Sequence, residues 1–226
     1  MSRHPKANDG RGILSIWNDF PPEKEDFYER WYMGEHFPER LGVPGFLRGR
    51  RYEAIQADRK YFSFYDLENA DVLFSDAYLA RLNAPTAWTQ TVMTSWGAMF
   101  RTVCERVRRR GDAVGGYVAV ARWDGLNGGA DLPLDLADRM LAALDDPGIV
   151  AVDHWRATVR QNDATKEARS RPNADSTITA ALIIEATRES SITRAAAQLP
   201  KLLGPSPAPS AIGLYRLIAL QEASGA

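Results

Sequence analysis

Two Pro-Gly turns in similar surroundings constrain this chain more than any other feature. "VPGFLRGRRYEA" begins at Val43 and "DPGIVAVDHWRA" begins at Asp146, and Pro147 lies 103 residues after Pro44 (147 − 44). An apolar strand and then a helical pattern precede each turn, while two strands, a helix and a last strand follow it. Both halves therefore read β-α-β-β-α-β, the order of the ferredoxin-like motif.

The strand patterns of the two halves predict how they pack. Segments such as "YFSFY" (61–65) and "ITAALII" (178–184) are apolar on both faces, so each sheet needs cover on both sides. Helices cover one face, and the bare face of the other half can cover the second. The predicted fold class is therefore α+β, with two antiparallel sheets packed face to face as an α/β barrel within one chain.

The segment "RRRGDAVGG" (108–116) is charged and then glycine-bearing, as expected of a linker. We therefore predict a flexible N-terminus over 1–11, a first ferredoxin-like repeat over 12–110 and a second over 111–226. Loops are predicted over 124–133 and 161–176, and the second of these is expected to be mobile.

The overall charge and the cysteine count exclude several classes of function. The 226 residues carry a formal net charge of −1, so no general field attracts nucleic acid or a membrane surface. A single cysteine permits neither an intrachain disulfide nor a thiolate metal cluster. The first residues contain no apolar signal region, no run is long enough to cross a bilayer, and a cytoplasmic location is expected.

Four segments resemble a known family, the dimeric α/β-barrel superfamily and its EthD-like group. They are "FYERWYMGEHFPERLGVPGF" (27–46), "GRRY" (49–52), "YDLENADVLFSDAYLARL" (65–82) and "PTAWT" (85–89). The resemblance covers residues 12–107 well, while over 115–222 it rests on element order and the Pro-Gly turn. It implies a tandem fusion of two repeats, and it leaves a homodimer open. Family members include cofactor-free monooxygenases, isomerases, dehydratases and haem enzymes, so the fold alone names no reaction.

His36 is the leading candidate for chemistry. Imidazole exchanges protons near neutral pH, as general acid–base catalysis requires. The resemblance implies the same role, since a histidine of this tryptophan-containing helix is implicated in proton transfer in EthD-like dehydratases. Pro38 disfavours helical geometry at Phe37, so the helix is expected to end at His36. The alternative is a histidine that stabilises a helix C-terminus through the helix dipole.

Glu35 and Arg51 complete the predicted catalytic set. Glu35 could orient the imidazole, or it could be an exposed carboxylate. Arg51 points to the opposite face of its strand from Arg48 and Arg50, and an arginine in a pocket could bind a carboxylate or enolate oxygen. Surface or interface ion pairs are the alternative for all three arginines.

Aromatic residues are concentrated in the first half and could line a pocket for a flat, apolar substrate. The predicted substrate-binding residues are Trp17, Trp31, Tyr32, Tyr65 and Trp88. Ordinary core packing is the alternative for each of them. The second half has no histidine or tryptophan in its predicted helix (132–146), so a single site belongs to the first half. His154 occupies the strand position that corresponds to Arg51.

The leading functional prediction is a small-molecule enzyme that performs proton-transfer chemistry on an apolar, aromatic or polyketide-like substrate. Isomerase, dehydratase and cofactor-free monooxygenase chemistry all fit, and no cofactor is expected. One alternative is a haem protein with His36 or His154 as the axial ligand. Another is a non-catalytic ligand-binding or oligomerisation module. The three histidines are too widely spaced to predict a metal site, and no phosphate-binding glycine motif occurs.

Overall fold

Eight antiparallel strands form a closed barrel in a computed structural model that describes residues 11–125, 132–161 and 165–223. The strands are β1 (Gly12–Asn18), β2 (Phe46–Gln56), β3 (Tyr61–Leu67), β4 (Met99–Arg110), β5 (Tyr117–Asp124), β6 (Ile149–Ala157), β7 (Ile178–Ala186) and β8 (Ala211–Glu222). Their order around the barrel is β1-β3-β2-β8-β5-β7-β6-β4, with β4 pairing back to β1.

This order contains the same sheet twice. The first half contributes β4-β1-β3-β2, and the second half contributes β8-β5-β7-β6, which is the same arrangement four strands later. Pairing of β2 with β8 and of β4 with β6 joins the two sheets and leaves no free edge. The predicted α+β barrel of two ferredoxin-like units is confirmed. The exact boundary at residue 110 stays a prediction.

Helices cover the outer faces of both sheets. They are α1 (Glu25–Trp31), α2 (Phe37–Leu41), α3 (Asp76–Asn83), α4 (Ala87–Met93), α5 (Leu136–Ala143), α6 (Lys166–Arg169) and α7 (Glu189–Leu203). The helix predicted over 132–146 is shorter than expected. The predicted loop over 161–176 contains α6, while residues 1–10, 126–131, 162–164 and 224–226 lie outside the described residues.

The prediction that the first helix ends at His36 is wrong. A π-helical turn over Tyr32–His36 joins α1 to α2, and the backbone stays helical at Phe37. Phe37 donates its backbone N–H to the carbonyl of Tyr32, five residues back. This wider turn carries the helix up to Pro38, which falls in the first turn of α2, where a missing N–H costs little.

The two Pro-Gly turns use glycine for different physical reasons. Gly45 has φ +92°, a left-handed conformation that a side chain would strain. A Cβ on Gly148 would instead lie 2.3 Å from Oγ of Ser191 in α7. The first glycine is therefore required by backbone conformation, and the second by the close approach of a helix.

The strands β1, β3 and β7 are buried on both faces along their whole length, which explains their non-alternating apolar sequences. The barrel interior holds a cluster of side chains from both halves that includes Ile13, Trp17, Phe62, Phe64, Val120, Trp155 and Tyr215. The opposite faces pack against helices in two further clusters, one in each half. On β3, for example, Phe62 faces the interior while Tyr61 and Tyr65 face the helices.

One region of the barrel interior is charged. Asp66 accepts hydrogen bonds from Arg48 (3.0 Å) and Arg106 (2.5 Å). Arg106 also pairs with Asp153, and Arg50 pairs with Glu185 at 2.8 Å. Burial acts to raise the pKa of Asp66, but Arg106, Arg50 and Arg48 outweigh it and lower this pKa to about 2. The stability that this cluster contributes therefore depends on Asp66 being ionised.

We expect Asp66→Asn to lower the free energy of unfolding by about 3–5 kcal/mol, because it leaves buried guanidinium groups without their counter-charge. The matched control is Asp138→Asn. Asp138 also contacts two arginines, Arg108 and Arg110, but its side chain is 27% exposed. Its loss is expected to cost less than about 1 kcal/mol. Urea denaturation at pH 7 measures both, and similar costs for the two variants would show that burial of Asp66 adds nothing to its contribution.

Candidate functional site

A small cavity lies between the outer face of the first sheet and the helices of the first half. Leu14, Ile16, Met93, Trp96 and Met99 form its apolar walls. Its polar lining consists of Asn18, Ser63 and three tyrosines, Tyr32, Tyr65 and Tyr78. Its ionisable lining consists of His36, Arg40, Arg101, Glu167 and Arg171. The volume open to the centres of water molecules is about 30 Å³. That volume admits about two waters, so any larger ligand must displace part of the lining.

Three of these residues form one stripe along the first helical segment. Tyr32, His36 and Arg40 follow one another at intervals of four residues, so they share one face of the helix. The ring centroids of Tyr32 and His36 are 5.2 Å apart, and the Arg40 guanidinium lies 5.8 Å from the Tyr78 ring. The stripe therefore presents a phenol, an imidazole and a guanidinium to one cavity.

His36 is held as a neutral imidazole. Its side chain is 6% exposed and packs against the Trp31 ring at 4.4 Å. Burial lowers the pKa of His36 well below 6.5, and the positive charges of Arg40, Arg51 and Arg171 lower it further. No hydrogen bond within the described residues reaches its Nδ1 atom. A buried polar atom without a partner at a cavity wall is available to a ligand.

A pair of tyrosine hydroxyls lies beside the imidazole. The hydroxyls of Tyr32 and Tyr65 are 3.4 Å apart, and both residues are buried. Burial, together with the neighbouring Tyr32, raises the pKa of Tyr65 far above 10. Tyr65 is therefore a neutral phenol at physiological pH, able to donate a hydrogen bond to an oxygen atom in the cavity.

The second half of the chain covers this first-half cavity. Glu167 of α6 accepts a short hydrogen bond from Nη2 of Arg40, and Arg171 pairs with Asp175 at 2.5 Å. The backbone N–H of Lys166 donates to Oδ1 of Asn83 at 3.1 Å. We call residues 165–171 the roof segment. Because this segment belongs to the second half, residues of both halves line the cavity.

The structure brings three of the predicted site residues, His36, Tyr32 and Tyr65, into the cavity lining. The Trp31 ring packs against the His36 imidazole at 4.4 Å, and its Nε1 donates to Oγ1 of Thr89 at 3.0 Å. Glu35 does not contact the imidazole, because it accepts hydrogen bonds from Thr86 (2.6 Å) and Thr89 (2.8 Å).

The other predicted residues lie away from the cavity. Trp17 faces the barrel interior and stacks on Phe62 at 4.7 Å. Trp88 packs near Phe27 on the outer side of the helices, with a centroid distance of 6.3 Å. Arg51 pairs with Glu29 and lies 4.1 Å over the Tyr32 ring, so it supports the lining residue Tyr32 without lining the cavity itself.

Sequence reasoning missed several lining residues. Arg40 carried a usable signal, since it lies four residues after His36 on the same helix face. Ser63 lay on a predicted strand and Asn18 directly followed one, but nothing in the sequence marked which way their side chains point. Glu167 and Arg171 carried no signal, because they reach the cavity from a loop of the other half.

His154 lies on the helix side of β6, opposite Trp155. Its strand neighbour Val152 belongs to the outer cluster of the second half, while Trp155 faces the barrel interior. Neither ring nitrogen of His154 has a hydrogen-bond partner in the described structure. Burial, then the charge of Arg156, lowers the pKa of His154 to about 4. Nearby Asp153 opposes this shift only in part.

Neither histidine fits a haem ligand in this arrangement. The cavity beside His36, as it stands, is smaller than a macrocycle, and the Tyr32–Tyr65 and Arg40–Glu167 contacts are part of its lining. His154 is fully buried. In the described part of the chain, no group of three or more His, Cys, Asp or Glu residues could hold a metal ion. The sole cysteine, Cys104, is buried, and burial raises the pKa of its thiol to about 12.

His154 is expected to make the protein acid-labile. Its folded pKa of about 4 lies below the ordinary 6.5, so the unfolded chain gains the proton first as the pH falls. Stability from this residue is therefore complete above pH 6.5 and is lost progressively toward pH 4. Between pH 7.5 and 5 we expect His154→Gln to lose about 2 kcal/mol less unfolding free energy than the wild type. Denaturant titrations at both pH values test this, and equal losses would refute it.

Comparisons with known proteins agree on the fold. No family model matches the chain, and no curated protein matches its sequence. A crystal structure described as an anthrone oxidase-like protein aligns with TM-score 0.60 and 11% identity, covering 96% of this chain and 94% of that one. A candidate monooxygenase from Lactobacillus acidophilus NCFM aligns with TM-score 0.55 and 9% identity, covering 94% and 96%.

A third solved structure, described as a candidate chlorite dismutase, aligns with TM-score 0.54 and 13% identity, covering 93% of this chain and 96% of that one. At such low identity the alignments establish architecture and not chemistry. In the described residues no helix is long and apolar enough to cross a membrane. The chain has the same α+β barrel fold as these three structures, and the cavity lies on the outer face of its first-half sheet.

Proposed function

We propose that this chain is a small-molecule enzyme that uses His36 for proton transfer on an apolar, aromatic or polyketide-like substrate. The observation that carries the proposal is a buried, neutral imidazole whose Nδ1 atom has no partner among the described residues, at the wall of a cavity. His154 is also buried without hydrogen-bond partners among the described residues, but it lies outside the cavity. What favours general acid–base chemistry at His36 is its place in the cavity lining, beside a pair of phenols and a guanidinium.

The first chemical step would be removal of an acidic C–H proton next to a carbonyl. The C–H bond breaks, the proton moves to His36, and the electron pair shifts onto the carbonyl oxygen as an enolate. Tyr65 or Tyr32 donates a hydrogen bond to that oxygen. Isomerisation, dehydration and cofactor-free oxygenation share this step, so the cavity supports all three without distinguishing between them.

The positive charges of the arginines affect both the basicity of His36 and the stability of the enolate in this step. Arg40, Arg51 and Arg171 make His36 a weak base by lowering its pKa. The same positive field stabilises the enolate as it forms, and the enolate in turn offsets the new charge on the imidazole. A weakly basic histidine can therefore serve if its substrate yields a strongly stabilised anion, for example one that becomes an aromatic phenolate when it loses the proton.

Anthrone is a suitable probe, since one structural neighbour is described as anthrone oxidase-like and anthrone has an acidic methylene group. We expect the protein to catalyse deuterium exchange at this methylene in D₂O under argon, followed by NMR. His36→Gln should lower the exchange rate by about 10²–10⁴-fold, because glutamine fills similar space without accepting a proton.

His154→Gln is the matched control, since His154 is a buried histidine outside the cavity. It should exchange anthrone at the wild-type rate. Exchange that survives in His36→Gln would remove His36 from the chemistry. If the wild type fails to exchange any enolisable aromatic ketone but binds such ligands, the chain is a binding module.

Hemin titration tests the haem alternative directly. Because the cavity beside His36 would have to open much further for the macrocycle than for a flat ligand of two or three rings, we expect no sharp Soret band at one equivalent of hemin. A sharp band that is lost in His36→Ala or in His154→Ala would establish haem binding, name the ligand and overturn the cofactor-free proposal.

A further inference from the structure

Arg40 is a buried cation that is incompletely satisfied. The residue is 2% exposed, and Nη2 donates to Glu167. Its Nη1 atom has no hydrogen-bond partner among the described residues and lies 3.7 Å from Oε2 of Glu39. A guanidinium has five N–H donors arranged to receive a planar anion at two of them. Arg40 therefore has donor capacity left over at the cavity wall.

Glu167 is the sole carboxylate among the described residues that line the cavity, against three arginines, Arg40, Arg101 and Arg171. Its side chain is only 10% exposed. The positive field inside the cavity is evident at His36, whose pKa falls because of burial and then because of Arg40, Arg51 and Arg171. An anion inside this cavity is favoured, and Glu167 supplies one.

Glu167 reaches the cavity on a short helical element of the second half. Helix α6 has four residues, Lys166–Arg169, and Thr165 caps it by accepting from the N–H of Ala168. Contacts of the roof segment to the first half include the Lys166–Asn83 hydrogen bond, the Arg40–Glu167 pair and a 3.9 Å contact from Arg171 to the sulfur of Met93. Displacing Glu167 therefore shifts one short helix, whereas moving the sheet or α1 would disrupt a core.

We propose that Arg40 is the subsite for an anionic oxygen of the ligand, and that Glu167 occupies this subsite until the ligand displaces it. The ligand class is a flat aromatic molecule that carries one carboxylate or phenolate. This inference rests on the proposed function, because it takes the His36 cavity to be the substrate site. The anion formed from anthrone by loss of a proton is itself a phenolate.

Exchange of the Glu167 carboxylate for a ligand anion would make the subsite selective for anionic ligands. A buried guanidinium without a counter-charge is costly, so a neutral ligand that displaced Glu167 would leave Arg40 unpaired. An anionic ligand would replace the lost charge and could engage Nη1 as well as Nη2. The aromatic part of the ligand would pack against Tyr78, Trp96 and Met93. The subsite should therefore select anionic over neutral aromatic ligands.

The test compares 2-naphthoate with 2-acetylnaphthalene, a neutral ligand of similar shape, by calorimetry and tryptophan fluorescence. In the wild type, 2-naphthoate should bind at least about 10-fold more tightly. Glu167→Gln removes the competing charge and should tighten 2-naphthoate binding by a further 10-fold or so, while binding of the ketone stays within about 2-fold.

Glu29→Gln is the matched control, since Glu29 also pairs with a buried arginine, Arg51, but does not line the cavity. It should leave both affinities unchanged. A purely structural Arg40–Glu167 pair would give the opposite result, with Glu167→Gln weakening or not changing 2-naphthoate binding, and that result overturns the proposal.

Circular dichroism establishes whether Glu167→Gln is folded. Should it unfold, the wild-type comparison decides alone, and equal affinities for the two ligands overturn the proposal. The outcome is separable from the anthrone experiment. Anthrone exchange without anion selectivity retains His36 chemistry and removes the Arg40 subsite. Anion selectivity without exchange retains the subsite in a binding module.

Discussion

The pairing of buried arginines with carboxylates from the opposite half is the interaction on which the rest of this structure depends. Arg50 of β2 meets Glu185 of β7, Arg106 of β4 meets Asp153 of β6, and Arg122 of β5 meets Asp58 after β2. A guanidinium cannot lose its proton in a protein, so each needs a carboxylate wherever burial places it. Arg40 and Glu167 repeat this arrangement outside the barrel, at the cavity.

These ion pairs fix how the two sheets align with each other, which apolar contacts alone would not do. Aromatic and aliphatic side chains in the interior tolerate small shifts of one sheet against the other, whereas a buried ion pair does not. Strand pairing at the β2–β8 and β4–β6 seams sets the same register through the backbone. The first-half cavity then has fixed walls on the sheet side, and its adjustable part is the roof segment.

The strands and their order were predictable from sequence because their signal is local and repeated. The apolar runs over 61–65 and 178–184 fall within the observed β3 and β7, and the Pro-Gly turns related the halves. The helix through His36 was predicted to end too early, because a proline rule describes regular helices and a π-helical turn departs from them.

The site was only partly predictable. His36, Tyr32 and Tyr65 belong to elements whose faces follow from periodicity, so they could be placed. Trp17, Trp88 and Glu35 are residue types that often occur in binding sites, yet their side chains lie outside the cavity. Residue type alone does not predict which way a side chain points. Glu167 lies more than 120 residues from Arg40 in sequence, and only the folded barrel brings the two together.

Because the roof and the walls of the cavity come from different halves, the residues that shape its opening can change separately from the residues that form its walls. Substitutions in residues 165–171 other than Glu167 can alter the charge and size of the opening while the sheet, the His36 helix and the ion pairs inside the barrel remain untouched. Because the roof segment belongs to a loop, such changes carry little folding penalty, whereas loss of Glu167 leaves Arg40 without its counter-charge. Relatives with this architecture could therefore diverge in the molecules they accept while retaining one and the same acid–base group.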